Sequence, residues 1–559
     1  MIDLECIPFG AGHGDEGVSL LLKMGPYRVL LDCGLKDLRS LTTHPKLKHQ
    51  TSIHPNWPVD LALCSHAHPD HVRGFWELRQ AYPDLPIYSS DVTAQLLPLN
   101  WLEQDTTLSC QTLPWRSPLE VETGLNVELY PAGHLPGAAA FLITYTPTVN
   151  QGHSNQRSYT VFYTGDFLLS NSRLVDGLPL SELRGLNPDV LILEGSFGIA
   201  RHPHRRQQET QVAERILSAI QQGQSVILPV PALGLGQELL MLMRSHHTFT
   251  GKDLDIWVED SIALGCDAYL NFLQQLPPTV QNFAQHQPLF WDERIRPRVK
   301  RLNTQGKSRV TDRPCIVLVS DTTEIQDYVS QGDRPWLILL PERRPREKAD
   351  LGAQELHSIA RGNAVTLDTF LLAEHCDGPG TTQLIHNLRP QHIVFIHGSS
   401  EYLADLTSLD ELANRYHLHS PGIGKSLELP VGEGLIQPIA STVTNSFYEG
   451  EVHELEHEIL VTLPQQLLKD PRWQSFGDTG LIEASWQGEM LVLRGISQRE
   501  LLVQKHQTVE PDFQGCANCR HYRGQRCWNQ RSTLYGFKVT PDGYCPVFEA
   551  DMEPGNQIA

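Results

Sequence analysis

The chain has 559 residues, and its 45 Lys or Arg against 65 Asp or Glu give a formal net charge of −20. Hydrophobic residues make up 40% and charged residues 20%, which is ordinary for a globular protein large enough to contain several domains. The acidic balance excludes a protein that coats nucleic acid by bulk positive charge, but it does not exclude a local site that acts on nucleic acid.

The lack of a recognisable targeting or membrane segment and the spacing of the cysteines favour a cytoplasmic protein. No apolar run approaches the roughly 20 residues of a membrane span. The first residues lack the basic and apolar regions of a signal peptide. Of the 11 cysteines, four lie between 516 and 545 and the others are scattered singly, which is typical of a reducing compartment. We therefore predict a cytoplasmic protein without a membrane segment.

The first two hundred residues read as short strands bounded by turn residues, with one helix, Phe75–Ala81, between two of them. The predicted strands are Tyr27–Leu31, Val59–Cys64, Val127–Tyr130, Tyr159–Tyr163 and Val190–Leu193. Strands that alternate with helices and end in polar loops indicate an α/β protein.

A second α/β unit is predicted over residues 200–370. Arg205–Gln222 has apolar residues at helical spacing and is followed by Gly223, a candidate C-cap. The other predicted elements of this unit are the strands Ser225–Val230, Cys315–Val319 and Trp336–Leu340 and the helix Gln237–Arg244. Because Ile393–Ile396 then resumes the strand-and-polar-loop style of the first unit, we expect the second unit to be an insertion.

The most informative motif follows the strand that ends at Cys64, where four potential metal ligands fall within six residues: His66, His68, Asp70 and His71. His66 and His68 are two residues apart, so an extended loop points both imidazoles the same way. The next two follow as the chain turns and can reach a second ion. Imidazole and carboxylate are ligands that zinc favours.

Three further candidates each follow a predicted strand: His134, Asp166 and His397. Taken singly, residues of this kind are more often structural. Taken together with the first motif, they complete the ligands of two ions. Two zinc ions about 3.5–4 Å apart can clamp a phosphate and lower the pKa of a bridging water to about 7, which suits hydrolysis of a phosphodiester.

These motifs resemble those of the metallo-β-lactamase fold, specifically its β-CASP nuclease group, which includes bacterial ribonuclease J and the endonuclease that cleaves pre-mRNA 3′ ends. They appear in order as Leu31-Asp32-Cys33-Gly34, His66–His71, Gly133-His134, Thr164–Asp166, Glu194–Gly198, His375–Asp377 and His397-Gly398. The resemblance covers about residues 1–435 and implies an αββα sandwich with an inserted α/β β-CASP domain.

The resemblance also implies roles for the residues. One zinc ion would be bound by His66, His68 and His134, the other by Asp70, His71 and His397, and both by the bridging Asp166. Asp32 would hold a ligand imidazole by a hydrogen bond. His375, kept protonated by the neighbouring Glu194, would donate a proton to the leaving oxygen. The predicted catalytic residues are therefore Asp70, Asp166, Glu194 and His375.

Substrate preference is indicated by His397, since a His at this motif accompanies RNA-cleaving members of the group and DNA-processing relatives tend to carry an apolar residue. Two departures concern the insertion. The Arg that the group usually has is replaced by Leu235 or shifted out entirely, and Ser320–Glu324 replaces a Gly-rich loop. Both departures affect residues expected to bind RNA and to set its specificity. The candidate metal ligands are all present.

The predicted function is therefore a zinc-dependent hydrolase that cleaves RNA as an endonuclease, with a 5′ exonuclease mode left open. The alternatives are a related hydrolase of DNA or of a small phosphoester, and a weakly catalytic scaffold subunit of an RNA-processing complex. The complete ligand set argues against the scaffold. RNA is the predicted partner, and a homodimer is left open.

The C-terminal cysteines form a separate candidate site, composed of Cys516, Cys519, Cys527 and Cys545. A closed tetrahedral zinc site is favoured, and an iron–sulfur cluster or free thiols are the alternatives. Arginines and aromatic residues alternate here, which suits single-stranded nucleic acid, although a small aromatic core with a solvated surface is the preferred interpretation. The predicted domains are 1–199 and 371–435 (metallo-β-lactamase), 200–370 (β-CASP), 436–510 (linker or small β region) and 511–559 (four-cysteine metal-binding module).

Overall fold

The computed structural model describes residues 4–12, 16–44, 57–104, 108–147, 157–302, 310, 313–329, 334–342 and 365–431, with shorter stretches beyond residue 450. The chain divides into two compact units, Met1–Thr442 and Val443–Ala559. Among the described helices, none combines the length and the apolar character that crossing a membrane requires.

The strands of the first unit are, in chain order, β1 (Leu4–Ala11), β2 (Val18–Met24), β3 (Tyr27–Leu31), β4 (Leu61–Leu63), β5 (Ile87–Ser89), β6 (Gln111–Thr112), β7 (Leu119–Glu122), β8 (Leu125–Pro131), β9 (Ala139–Tyr145), β10 (Tyr159–Tyr163), β11 (Val190–Glu194), β12 (Ser225–Val230), β13 (Asp255–Val258), β14 (Arg298–Arg301), β15 (Ile316–Ser320), β16 (Trp336–Pro341), β17 (Val365–Phe370), β18 (His392–Ile396), β19 (His417–His419) and β20 (Leu427–Glu428). Those of the second unit are β21 (Glu451–Glu454), β22 (Ile459–Thr462), β23 (Ile482–Gln487), β24 (Met490–Gly495), β25 (Tyr522–Arg523) and β26 (Arg526–Cys527).

The α-helices are α1 (Arg39–Thr42), α2 (Pro69–Val72), α3 (Phe75–Ala81), α4 (Asp91–Leu96), α5 (Leu180–Leu183), α6 (Arg205–Gln221), α7 (Leu235–Ser245), α8 (Asp260–Asn271), α9 (Pro278–His286), α10 (Gln326–Val329), α11 (Gly378–Leu388), α12 (Ser400–Thr407) and α13 (Asp410–Ala413). Leu97–Asn100 and Leu273–Gln275 form short 3₁₀ helices.

Two seven-stranded sheets form a sandwich, in the strand orders β20-β1-β2-β3-β4-β5-β6 and β19-β18-β11-β10-β9-β8-β7. Side chains alternate across each strand, so Leu20 and Leu22 of β2 join Phe141 of β9 in the core between the sheets. Leu21 belongs instead to a core that includes Phe75 of α3. The predicted αββα sandwich is therefore confirmed.

The insertion forms a third sheet of six parallel strands, in the order β14-β13-β15-β12-β16-β17. All six residues of β12 are buried, as expected for a parallel strand covered on both faces. The chain leaves the second sheet after β11 and returns to it at β18, where Glu194 lies opposite Ile396 in parallel register. This pairing brings two motifs about 200 residues apart in sequence to one sheet edge.

Glu238 of α7 connects the insertion to a loop of the sandwich. Its Oε1 accepts a hydrogen bond from the backbone N of Leu174 (2.8 Å), and its Oε2 accepts from the backbone N of Arg173 (3.0 Å). The Arg205 guanidinium donates to the same Oε2 (3.1 Å). The carboxylate is buried, so these charge-assisted bonds position the insertion over the sandwich.

Several predicted elements begin and end at the predicted residues: Tyr27–Leu31, Phe75–Ala81, Tyr159–Tyr163 and Ser225–Val230. Gly223 has a φ of 80°, which agrees with its expected place at the end of α6. The strand predicted over Val59–Cys64 is shorter in the structure, as β4. The domain boundaries stay predictions.

In the described part of the second unit, β21 pairs with β22, β23 with β24 and β25 with β26, each pair antiparallel. Of the four predicted metal-binding cysteines, Cys519 is half-buried and Cys527 is buried. Cys516 and Cys545 lie outside the described residues. The C-terminal metal site therefore stays a prediction.

Candidate active site

The candidate residues meet at one edge of the sandwich because each lies at, or just after, the end of a strand. His66 follows β4, His134 follows β8 and Asp166 follows β10. Glu194 is the last residue of β11, and His397 comes directly after β18. Loops and strand ends held by a rigid sheet are where α/β proteins place functional groups.

Asp166 lies at the centre of this cluster and is almost fully buried. Its Oδ2 is 3.6 Å from Nε2 of His66, 3.8 Å from Nε2 of His134 and 3.3 Å from Nε2 of His71. Its Oδ1 is 3.4 Å from Nδ1 of His397. A single carboxylate with imidazoles on both sides has the geometry of a bridging ligand.

The first group of potential ligand atoms, all within 4.8 Å of one another, comes from His66, His68, His134 and Asp166. Contacts with backbone carbonyl oxygens indicate which nitrogen of each imidazole carries the hydrogen. Nδ1 of His134 donates to Glu374 O (2.8 Å), and Nε2 of His68 lies 3.3 Å from Leu233 O. The remaining nitrogens, Nε2 of His134 and Nδ1 of His68, then face each other at 3.0 Å with lone pairs. Such lone pairs repel unless a cation lies between them.

Asp32 orients the imidazole of His71 directly and that of His66 through Ser65. It accepts hydrogen bonds from Ser65 N and Ser65 Oγ (both 2.7 Å) and from Nδ1 of His71 (2.8 Å). Because the Ser65 hydroxyl donates to Asp32, it must accept from Nδ1 of His66, at 3.0 Å. Nδ1 of each imidazole therefore points away from the cluster, and Nε2 of each faces it. Within the described part of the chain, Nε2 of His71 and Oδ1 of Asp166 are buried without a well-formed hydrogen bond, which fits ligand atoms for a divalent cation.

The second group of ligand atoms comes from Asp70, His71 and His397. Nε2 of His397 lies 3.3 Å from Oδ2 of Asp70, and Nε2 of His71 lies 4.0 Å from the same oxygen. Ser196 donates its hydroxyl hydrogen to Glu194, so it accepts from Nδ1 of His397 at 2.9 Å. This leaves the Nε2 lone pair of His397 for the second position. The Asp70 side chain is 46% exposed and opens to solvent.

Burial keeps the imidazoles of the first group neutral. It lowers the pKa of His66 well below its usual value and lowers the pKa of His68. Burial, together with the neighbouring His375 and His68, lowers the pKa of His134 to about 3. Since only a neutral imidazole has a lone pair to offer, these shifts favour metal binding.

Glu194 and His375 form the predicted acid pair, with Oε2 of Glu194 2.8 Å from Nδ1 of His375. Burial raises the pKa of Glu194, but the charge and hydrogen bond of His375, together with a hydrogen bond from His397, outweigh burial and bring the pKa to about 2. Nδ1 of His375 is also 3.8 Å from Oδ2 of Asp166. His375 is thus close enough to the cluster to serve either as a proton donor or, with Glu194, Asp166 and His397, as a ligand.

A cleft of about 600 Å³ opens over the cluster. Its lining includes Asp70, His375 and His397 together with apolar residues of the insertion. Leu235, at the position where an Arg was expected from the resemblance, is one of these apolar residues. Asp321, from the segment that replaces the Gly-rich loop, also lines the cleft.

Three residues with clear structural roles had no role in the sequence prediction: Ser65, Ser196 and Tyr163. The first two were visible as hydroxyls beside the motif residues His66 and Glu194. Tyr163 reads as an ordinary strand residue, yet its hydroxyl lies 2.5 Å from Oδ2 of Asp32.

Residues 27–223 match the model of the β-lactamase superfamily domain. An uncharacterized protein of Synechocystis sp. is 47% identical over 98% of this chain and 97% of its own length. Cleavage and polyadenylation specificity factor 73 of Drosophila melanogaster is 24% identical over 72% of this chain and 61% of its own length. An RNase J-like protein of Methanocaldococcus jannaschii is 25% identical over 52% of this chain and 65% of its own length. The chain thus spans less than two thirds of either of the last two relatives.

Proposed function

We propose that this chain, which belongs to the metallo-β-lactamase superfamily and within it to the β-CASP nuclease group, is a zinc-dependent hydrolase of RNA phosphodiester bonds. The observation that carries the proposal is the set of buried imidazoles whose lone pairs converge around Asp166. Hydrogen bonds fix each of these imidazoles, so the site is pre-organised for cations.

We assign the first cation to His66, His68 and His134 and the second to Asp70, His71 and His397, with Asp166 between them. Zinc ions at these positions would supply Lewis acidity toward a phosphoryl oxygen and lower the pKa of water. The chain itself orients four of the imidazoles: His66 and His71 through Ser65 and Asp32, and His68 and His134 through backbone carbonyls.

Proton transfer to the leaving oxygen is assigned to His375. Its Nδ1–H donates to Glu194, which fixes the ring and favours its protonated form. The side chain is 21% exposed and lines the cleft, so it can reach a bound phosphodiester. Glu194 is itself held by the backbone N of Phe167 at 2.7 Å and therefore acts as a positioning residue.

RNA is the proposed substrate because the two relatives with assigned names are called an RNase J-like protein and a cleavage and polyadenylation factor. His397 supports the same choice through its motif. The test compares the full chain, loaded with zinc, on RNA and single-stranded DNA of matched sequence, with Asp166→Asn as the inactive control. We expect RNA to be cleaved at least tenfold faster than DNA, which corresponds to an activation free energy lower by about 1.4 kcal/mol.

Each alternative has its own outcome in that experiment. Equal cleavage of DNA would favour a nuclease without sugar preference. Hydrolysis of a small phosphodiester without cleavage of either polymer would favour a small-phosphoester hydrolase. Full zinc occupancy with no hydrolysis at all would favour a scaffold subunit. RNA labelled at its 5′ end separates internal cleavage from removal of terminal nucleotides.

A further inference from the structure

The return segment, Leu371–Asp377, leads from the end of β17 in the insertion to the start of α11 and carries His375. Helix α6 of the insertion contacts this segment through both polar groups of the Ala373 backbone. Oε1 of Gln208 accepts a hydrogen bond from Ala373 N at 2.8 Å, and Nη1 of Arg205 donates to Ala373 O at 2.5 Å. Because Ala373 lies two residues before His375, α6 fixes the backbone that leads into the proposed proton donor.

The two side chains that hold Ala373 are themselves fixed within the insertion. Arg205 and Gln208 lie three residues apart in the first turn of α6, so they share one face of the helix. Nε2 of Gln208 donates to Pro203 O at 2.6 Å, and Nη2 of Arg205 donates to Oε2 of Glu238 at 3.1 Å. Gln208 is buried, so a change of its orientation would leave polar groups without partners. The contacts with the return segment are therefore set by the position of the insertion.

The sandwich holds the other end of the return segment. Cys376 N donates to Phe167 O at 3.0 Å. Glu194 accepts from Phe167 N at 2.7 Å and from Nδ1 of His375 at 2.8 Å. The insertion thus fixes the residues before His375, and the sandwich fixes the ring and the residue after it. A proton donor must lie within hydrogen-bond reach of the leaving oxygen, and a displacement of about 1 Å can slow a reaction about 10²-fold.

We propose that Gln208 and Arg205 are positioning residues for His375: they hold Ala373 and thereby keep the proton donor at the metal cluster. This inference rests on the proposed ribonuclease function and gives the insertion a part in the proton-transfer step. A purely structural contact between insertion and sandwich would instead affect every substrate alike, and this difference can be measured.

The test measures kcat for RNA and for bis(p-nitrophenyl) phosphate with the full chain, loaded with zinc. Gln208→Ala should lower kcat for RNA at least about tenfold. The loss for the small diester should be far smaller, because p-nitrophenolate leaves without a proton. Arg205→Lys, which cannot donate to Ala373 O and to Glu238 at once, should act in the same direction. The matched control is Gln207→Ala, an exposed neighbour on α6, which should leave both rates unchanged.

A conservative variant and a double-mutant cycle show whether Gln208 acts through His375. Gln208→Glu keeps an oxygen that accepts from Ala373 N, so it should restore most of the rate on RNA. In a chain that already carries His375→Ala, the further change Gln208→Ala should cost nothing more, because residues that act through one group are not additive.

Hydrogen exchange read by mass spectrometry gives a measurement that does not depend on activity. Peptides that cover the return segment should exchange faster in Gln208→Ala than in the wild type, because Ala373 N loses its acceptor. Peptides that cover β12, in the interior of the insertion sheet, should exchange at the wild-type rate and so report that the insertion is folded.

Three results would overturn the proposal: unchanged cleavage of RNA in Gln208→Ala, equal losses on the two substrates, and a loss that adds in full to that of His375→Ala. Zinc content below that of the wild type in Gln208→Ala would place the effect at the metal ligands and would also overturn it. If the wild type hydrolyses the small diester but no RNA, the proposed function itself fails. Hydrogen exchange then decides whether α6 holds the return segment.

Discussion

Tyr163 donates its phenolic hydrogen to Oδ2 of Asp32 across 2.5 Å, and both side chains are buried at the edge of the sandwich. The same oxygen accepts from Nδ1 of His71. Burial and the adjacent Asp32 carboxylate raise the pKa of Tyr163 well above its usual range, so the phenol stays protonated and acts as a donor. Tyr163 therefore positions the carboxylate that positions a candidate ligand.

Removal of this hydroxyl should weaken metal binding without removing a ligand. We expect Tyr163→Phe to lower zinc affinity about tenfold, since partners behind a ligand typically contribute that much or more. Competition with a chromophoric chelator measures the affinity. Tyr145→Phe is the matched control, because Tyr145 lies on β9 and packs edge-on against Tyr27 at 5.8 Å. Equal affinities in the two variants would contradict the role of Tyr163.

Replacement of His375 should slow the reaction according to the leaving group. We expect His375→Ala to lower kcat for RNA by about 10²–10⁴-fold, because an alkoxide needs a proton as it leaves. For bis(p-nitrophenyl) phosphate the loss should be far smaller, because p-nitrophenolate leaves without a proton. Zinc content serves as the control and should stay at the wild-type value. Loss of one zinc equivalent would instead make His375 a ligand.

Chelation should destabilise the first unit. The facing lone pairs of His68 and His134, 3.0 Å apart, repel once no cation lies between them. Zinc at about a thousand times its Kd stabilises the folded state by about 4 kcal/mol, which for a unit as large as Met1–Thr442 corresponds to a fall in Tm of about 4 °C on removal. Calorimetry with and without chelator measures the shift. Asp166→Asn should show little shift, and an equal shift in that variant would contradict the assigned site.

Mild acid should destabilise the protein through a second histidine cluster, away from the cleft. His392 accepts at Nδ1 from Nε2 of His419 (3.1 Å) and donates from Nε2 to Pro430 O (2.9 Å), so the His392 ring must be neutral. Burial lowers the pKa of His392, and burial with the nearby His392 and His417 lowers the pKa of His419 from 6.5 to about 4.

Because the pKa of His419 is lower in the folded chain than in the unfolded chain, protonation favours unfolding. Above pH 6.5 His419 is neutral in both the folded and the unfolded chain and costs no stability. As the pH falls from 6.5 toward about 4, the unfolded chain binds the proton first, and the free energy of unfolding decreases. Denaturation at neutral and mildly acidic pH should show a smaller acid loss in His419→Gln than in the wild type. His286→Gln, on the exposed end of α9, is the control. An identical pH dependence in His419→Gln would count against this coupling.

Local sequence determined much of the fold and most of the candidate ligands. Strands such as Tyr159–Tyr163 are bounded by turn residues, and Phe75–Ala81 is a short amphipathic helix, so each was predictable from its own residues. His66 and His71 both follow β4 within eight residues, which keeps them close together whatever the rest of the chain does. The strand of Ile393–Ile396 also predicted the return of the chain from the insertion, which the pairing of β18 with β11 confirms.

Only the tertiary structure decided which atoms face each other. Tyr163 and Asp32 are separated by 131 residues, and His375 and Glu194 by 181, so no spacing in the sequence relates them. A hydrogen bond depends on the distance and direction between two groups, and over such separations those are set by how the sheets pack and where the insertion returns. The sequence therefore determined which residue types serve as ligands and which loops carry them. Packing determined which nitrogen of each imidazole carries the hydrogen and in which direction the other nitrogen points.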